Sequence, residues 1–192
     1  GLMDGYPEAN ARHYSFLLDG LADCATDLKA RGIALVVRHG SPDDVALAMS
    51  EDAAAVICDR SYMPQQRQWR EKLAKNASCP VLQVETEVVV PVDVVSDKSE
   101  YAARTIRPRI HRAWDEYLVP LDETEPEIHA DGLSLESDFD LSDPVAALNA
   151  LELDRSVKPV KRLKGGRIAA LKMLERFVDD VLDGYATGRN EP

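Results

Sequence analysis

The chain has 192 residues, 45% of them hydrophobic, and a formal net charge of −11. That length suits one ordinary domain with extensions, and no apolar run nears the roughly 20 residues of a membrane span. No basic region followed by an apolar stretch opens the sequence, so no secretory signal is read and a cytoplasmic location is expected. Cys24, Cys58 and Cys79 are odd in number and far apart. They suit free thiols in a reducing compartment, and with no CxxC pair or clustered His a metal is not expected.

The charge is local. Residues 115–144 hold eleven Asp or Glu and no Lys or Arg, and the other 23 acidic residues match the 23 basic ones. Such a block repels DNA phosphates and marks a solvated linker, so this chain alone is not expected to bind nucleic acid.

In chain order, residues 8–31 predict a helix. Tyr14, Leu17, Leu18, Leu21, Cys24, Ala25 and Leu28 form its apolar stripe, and Gly32 sits where a C-terminal glycine ends a helix. Residues 33–37 are a short, continuous apolar run, as in a buried parallel strand. Ser41-Pro42-Asp43-Asp44 is a helix start, with Ser as N-cap, Pro at the first position and acids at the positive dipole end. That helix should reach about Ser50. Strands are predicted over 53–58 and 81–84, with a helix over 64–77 anchored by Trp69 and Leu73. Strands alternating with helices predict a parallel α/β sheet.

Residues 88–95 are apolar, broken once by Pro91. Asp97-Lys98-Ser99-Glu100 has the form of a capping box with Asp97 as N-cap. A short helix should follow and be interrupted at Arg107-Pro108, since the residue before proline disfavours the α region. A second helical piece would carry Ile110, Trp114, Tyr117 and Leu118. Residues 120–144, with three prolines and the acids, predict a loosely packed or partly disordered linker. Asp143-Pro144 starts a short helix, Gly165-Gly166 makes a break, and an amphipathic helix runs over 167–185.

A set of short motifs carries a resemblance. Ser96, Lys98, Glu100-Tyr101-Ala102-Ala103, Thr105 and Arg107-Pro108 resemble the segment leaving the first domain of class II DNA photolyases. Tyr6-Pro7-Glu8-Ala9-Asn10 with Arg12, His13 and Tyr14-Ser15-Phe16 resembles that family's entry into an early helix. Residues 33–38, Asp59-Arg60, Trp69-Arg70 and Cys79-Pro80-Val81 fall in the family's order. Tyr185 and Arg189-Asn190-Glu191-Pro192 resemble its Arg-Asn-Asp-Pro, with Glu191 in place of aspartate. The resemblance covers nearly the whole chain.

It implies a Rossmann-like three-layer α/β fold: a domain over 1–118, an acidic linker over 119–144, and a helical segment over 145–192 leading toward a flavin domain. The parent would be a DNA-repair lyase that binds damaged DNA and splits cyclobutane pyrimidine dimers with light. Its cofactors would be FAD and an antenna chromophore, a deazaflavin or a folate. The family's flavin domain and its first two strands have no counterpart in this sequence. The chain alone is therefore expected to hold no FAD, to purify colourless, and to lack repair activity. It would bind an antenna or act as a scaffold. In the family's sheet order, 3-2-1-4-5, residues 33–37 would have unpaired edges; either they move across to pair with 53–58 in a three-stranded sheet, or, as expected here, chains form a homo-oligomer joined by strand edges or by the last helix. Two other readings stay open: a stand-alone nucleotide- or ligand-binding α/β module, and an interaction module without a ligand.

Ligands of open α/β sheets bind beyond the carboxyl ends of the strands. Those ends supply Arg38, His39, Asp59, Arg60 and Tyr62 as candidate ligand-binding residues. The alternative is that Asp59 caps the next turn and Arg60 pairs with a nearby acid. Lys98, Glu100, Arg104 and Arg107 are expected either as an ion-pair cluster or as a docking surface for the family's second domain. No catalytic constellation and no Gly-rich phosphate loop is present.

Overall fold

The computed structural model describes residues 1–121 and 124–191. Asp122 and Glu123 of the acidic stretch, and Pro192 of the terminal motif, lie outside them. The elements in order are α1 (Ala11–Ala30), α2 (Pro42–Ser50), β1 (Val56–Asp59), α3 (Pro64–Asn76), β2 (Val81–Val84), α4 (Val92–Val95) and α5 (Ala103–Tyr117). A 3-10 turn, Ala130–Gly132, precedes α6 (Pro144–Asn149), α7 (Arg167–Asp180) and α8 (Leu182–Gly188). They divide into two compact units. A sheet unit takes Gly1 and Ser41–Thr124, and a helical unit takes Leu2–Gly40 and the chain from Glu125 on. No helix among the described residues is long and apolar enough to cross a membrane.

The sheet unit is a mixed α/β arrangement around two parallel strands. β1 and β2 pair in register from Val56↔Val81 to Asp59↔Val84, joined through α3. Parallel neighbours need such a crossover, since a tight turn cannot reverse the chain between them. Helix α2 starts as its sequence indicates, with Ser41 at the N-cap and Pro42 in the first turn. The Ser41 hydroxyl donates to the Asp44 carboxylate at 2.7 Å rather than capping a backbone N–H. Lys72 of α3 reaches Asp43 at 2.8 Å and Asp44 at 2.5 Å. Two carboxylates in the first turn of α2 thus also fasten α3.

Two local expectations fail here. Asp97 caps nothing: α5 begins at Ala103, with Ala102 at its N-cap and no side-chain cap. The residues before it are held instead by the Ser96 hydroxyl, which meets both Lys98 O and Glu100 Oε1 at 3.0 Å. Pro108 does not interrupt the helix either; it lies inside α5. Its cost is the missing N–H bond to the Arg104 carbonyl and the ring against that carbonyl. An amphipathic face with Ile106, Ile110 and Ala113 half-buried outweighs it.

The helical unit has the larger apolar core: Leu2, Tyr14, Leu18, Val37, Phe139, Leu141, Ala147 and Leu151. Helix α1 opens on a capping box, Asn10 with His13, and closes at Gly32, whose φ of +70° favours glycine. The His129 ring lies where a Gly32 side chain would be. Helix α6 is capped by Asp143, which accepts from the Ala146 N–H at 3.0 Å. Gly165 and Gly166 let α7 approach α1. A Cβ on Gly165 would meet the Phe16 carbonyl oxygen at 1.9 Å, and one on Gly166 the Asp23 carboxylate at 2.2 Å. Asp23 then accepts from the Ile168 N–H at 3.3 Å, in the first turn of α7. The single helix expected over 167–185 is two, parted at Val181.

Among the described residues, 33–37 form no strand, and the parallel sheet has two strands, not three. The run's backbone groups find other partners in the helical unit. The Val37 N–H donates to Ser137 Oγ at 2.8 Å, and the Asp138 N–H donates to the Val37 carbonyl at 2.9 Å. The Ala130 N–H donates to the Gly32 carbonyl at 2.7 Å. Leu2 makes a single parallel bridge to His39. Val37, the buried end of the run, needs its backbone paired, and the acidic stretch supplies that pairing. Phe139 and Leu141 of the same stretch are buried in the core.

Candidate functional site

The carboxyl end of the sheet gathers Asp59, Arg60 and Tyr62, three of the five candidate ligand residues. The Arg60 N–H donates to the Val84 carbonyl at 2.9 Å, which extends the ladder one step and fixes where its side chain leaves. Arg60 Nη1 lies 2.7 Å from Asp93 Oδ2 and 3.9 Å from Glu85 Oε2. Its hydrogen bond to Asp93, and then that carboxylate's charge, hold the guanidinium in its charged form beyond the ordinary arginine range. The Tyr62 hydroxyl donates to Glu85, the Ser61 hydroxyl to Glu87, and the Thr86 hydroxyl to Asp59. Burial, and then the Glu85 carboxylate that accepts its hydroxyl, push the Tyr62 phenol up.

A cavity of about 380 Å³ opens beside this cluster, lined among others by Arg60, Tyr62, Arg67, Arg70, Glu71 and Gln83. Arg67 and Arg70 come from α3, one helical turn apart, so both present to one face. Burial raises the pKa of the Cys58 thiol, against the lowering charge of Arg70. The Arg70 Nε atom is buried without a hydrogen-bond partner.

Arg38 and His39 belong to the helical unit and do not join that cluster. Arg38 Nη1 donates to Asp138 Oδ1 at 2.9 Å, and the His39 N–H donates to Asp138 Oδ2 at 2.8 Å. His39 Nε2 lies 2.9 Å from Asp4 Oδ1. The His39 N–H, then the Arg38 guanidinium, hold Asp138 below the usual carboxylate range.

Of the residues expected at a docking surface, Glu100 is tied down. Its carboxylate, 7% exposed, lies 3.5 Å from Arg109 Nε. Hydrogen bonds from Thr105 and then Ser96 lower its pKa. Lys98, Arg104 and Arg107 are exposed. The expected cluster thus contributes Glu100, with Arg109 as its ion-pair partner. A second cavity, about 540 Å³, lies between the valines of 88–95 and the stretch 96–100, with Ile106 and Ile110 of α5.

Sequence reasoning passed over Arg67, Asp93 and Glu87. The signal for Arg67 was present: two arginines three apart on a helix whose N-terminus follows a strand end. Asp93 carries no such signal, since it approaches Arg60 only because the chain turns at Pro91 into α4.

The DNA photolyase family model matches residues 3–127. The chain belongs to the DNA photolyase family. The match spans α1 through α5 and so includes the whole Arg60 cluster. Among curated photolyase relatives, the deoxyribodipyrimidine photo-lyase of Methanothermobacter thermautotrophicus is 39% identical over 193 residues, covering 100% of this chain and 42% of that protein. That of Potorous tridactylus is 31% identical over 188 residues, 96% of this chain and 35% of its own length. That of Oryza sativa subsp. japonica is 29% identical over 195 residues, 96% and 38%. The chain therefore spans roughly two fifths of the photolyases it matches.

The family implies FAD, and the site at the sheet end does not fit it. The turn after β1, Arg60-Ser61-Tyr62-Met63-Pro64, has no glycine, so the backbone lacks the close approach that a dinucleotide's diphosphate needs. The cavity's size lies at the low end for small-molecule sites. Its polar and cationic lining suits a smaller group.

Proposed function

We propose that this chain is the N-terminal α/β part of a class II photolyase, whose whole form splits cyclobutane pyrimidine dimers in damaged DNA with light and FAD. The observation that carries the reading is the 39% identity running the full length of the chain. In that whole form the domain is a Rossmann-like three-layer α/β domain over 1–118. The β1–α3–β2 crossover is its part of the sheet. Residues 119–144 connect, and 145–192 lead toward the flavin domain.

The chain's own role is to hold an antenna chromophore, a deazaflavin or a folate, at the carboxyl end of the sheet. Asp59, Arg60 and Tyr62 meet there in one hydrogen-bonded cluster beside a cavity, which supports that placement. Their existing partners, Thr86, Asp93 and Glu85, also support a scaffold role in which the cluster only fixes the sheet end. Incubating the chain with each chromophore, followed by gel filtration and a visible spectrum, tests the two. Stoichiometric co-elution supports the antenna role, and none leaves the scaffold. Self-association is proposed too, because Ile57, Leu82 and Val84 of the sheet and Ile168, Leu171 and Leu174 of α7 are exposed. Light scattering decides it: a monodisperse monomer at high concentration ends that proposal.

A further inference from the structure

Three guanidinium groups line the cavity at the sheet end, and they are not equivalent. Arg60 is neutralised by Asp93 at 2.7 Å, with Glu85 at 3.9 Å. Arg67 and Arg70 have no carboxylate within ion-pair distance among the described residues. The one acid in the lining is Glu71, which makes no ion pair with either. The three arginines face Glu71, Asp93 and Glu85, so the surroundings balance overall, and the cationic part of the lining lies on α3, where Arg67 and Arg70 stand. The Arg70 Nε atom adds an independent sign: it is buried and has no acceptor. A buried donor without an acceptor is costly, so an acceptor brought within its reach regains what folding gave up. Arginine presents its N–H groups in a planar fork that matches the two oxygens of a carboxylate or phosphate. Gln83 and the Ser61 and Tyr62 side chains supply neutral polar groups around the same space. The volume, about 380 Å³, suits a small molecule.

We propose that the α3 arginines Arg67 and Arg70 form an anion-binding subsite that takes the phosphate or carboxylate group of a small ligand, with Arg60 acting mainly as a fixed wall. The proposal rests on the reading of the sheet end as a ligand site. It does not need the ligand to be a chromophore. It assigns recognition to α3, which the strand-end residues alone do not.

The test follows the arginine Nε–H resonances of the isotopically labelled chain by nuclear magnetic resonance. Inorganic phosphate is titrated in one arm and malonate in another, each against sodium chloride at matched ionic strength. A saturable shift of the Arg70 resonance is expected, identified by its loss in Arg70→Lys. Arg67→Gln and Arg70→Gln should each weaken binding tenfold or more while the circular dichroism spectrum is kept. Arg70→Lys, which keeps the charge but loses the fork, should weaken it severalfold. Arg12→Gln in the helical unit should change nothing. Tighter phosphate than malonate assigns a phosphoryl group to the ligand, and the reverse assigns a carboxylate. Shifts reproduced by chloride, or binding indifferent to both α3 substitutions, overturn the proposal. Anion binding without chromophore retention removes only the antenna role. Chromophore retention without anion binding removes only this subsite.

Discussion

Among the described residues, nine of the buried hydrophobic side chains, from Leu2 to Leu151, lie in the helical unit, against three in the sheet unit: Leu73, Val90 and Val95. The buried polar residues are distributed the other way, with Asp43, Ser50 and Ser61 all in the sheet unit. One unit is organised by an apolar core that excludes water, the other by hydrogen bonds and ion pairs around a small ladder. The difference follows from what each must present. An apolar core is indifferent to charge and offers nothing to a ligand. A polar framework costs stability wherever a group loses its partner, yet it places guanidinium and hydroxyl groups at fixed positions around a cavity. The candidate site lies in the second kind of unit.

The largest effects should come from attacking the apolar core. Leu18 is fully buried, and Leu18→Ala is expected to cost about 2–5 kcal/mol in urea unfolding, with faster amide exchange in α1 and α6. Leu73→Ala in the sheet unit should fall at or below the low end of that range, because among the described residues that unit holds two other buried apolar side chains, Val90 and Val95. Equal costs for the two substitutions would break the contrast. Next in size is Gly165→Ala. Its Cβ would meet a backbone carbonyl of α1 rather than a flexible side chain, so α7 must shift. A loss of about 1–3 kcal/mol is expected, read as amide exchange rising in α7 while the sheet unit is unchanged.

Much of this was legible beforehand, and the failures share a cause. Helix starts at Ser41-Pro42 and Asp143-Pro144 and the end of α1 at Gly32 are local, and local chemistry settles them. Residues 33–37 carry the same apolar signal as 81–84, yet only the second run becomes a strand. A strand is a pairing, and the partner is not written in the run itself. The partners of Val37, at the end of that run, are Ser137 and Asp138, about a hundred residues away in a stretch read as a loosely packed or partly disordered linker. The strand-end rule offered Asp59, Arg60 and Tyr62, which meet in one hydrogen-bonded cluster. It also offered Arg38 and His39, which Asp138 engages. The Pro108 expectation failed because packing of α5 outweighs a local cost of about 3 kcal/mol, and the Asp97 expectation because the Ser96 hydroxyl holds the stretch to Glu100 and the helix starts later, at Ala103.

Acid should sharpen the comparison further. Burial works to raise the pKa of Asp43, but hydrogen bonds from Lys72 and Ser41 outweigh it and hold the group low. A carboxyl depressed in the folded state stabilises above its unfolded pKa, and that stability is lost as pH falls through its folded value. The sheet unit should therefore loosen below the ordinary carboxylate range. Asp43→Asn should flatten that pH slope, measured as exchange at α2 and α3 amides against pH. A slope unchanged in the variant would show that another carboxylate governs it.

The smallest expected effect belongs to Asp138, the polar exception in the helical unit. Its pKa is lowered first by the His39 N–H and then by the Arg38 side chain, so the sign is the same: support above the ordinary aspartate range, lost on acidification. The group is solvent-exposed, and water screens the Arg38 pair, so global stability should move little. The local effect should be plain, because Asp138 joins the bridge of Leu2 to His39 to the acidic stretch. Asp138→Asn keeps an acceptor but removes the charge. It should therefore loosen the Arg38 side chain more than the His39 amide, and it should leave the Leu18 core untouched. Nitrogen relaxation of the Arg38 Nε and exchange of the His39 N–H give the two readings separately. If both moved together with core amides of α1, the acidic stretch would be part of the core's cooperative unit rather than a charged strap laid over it.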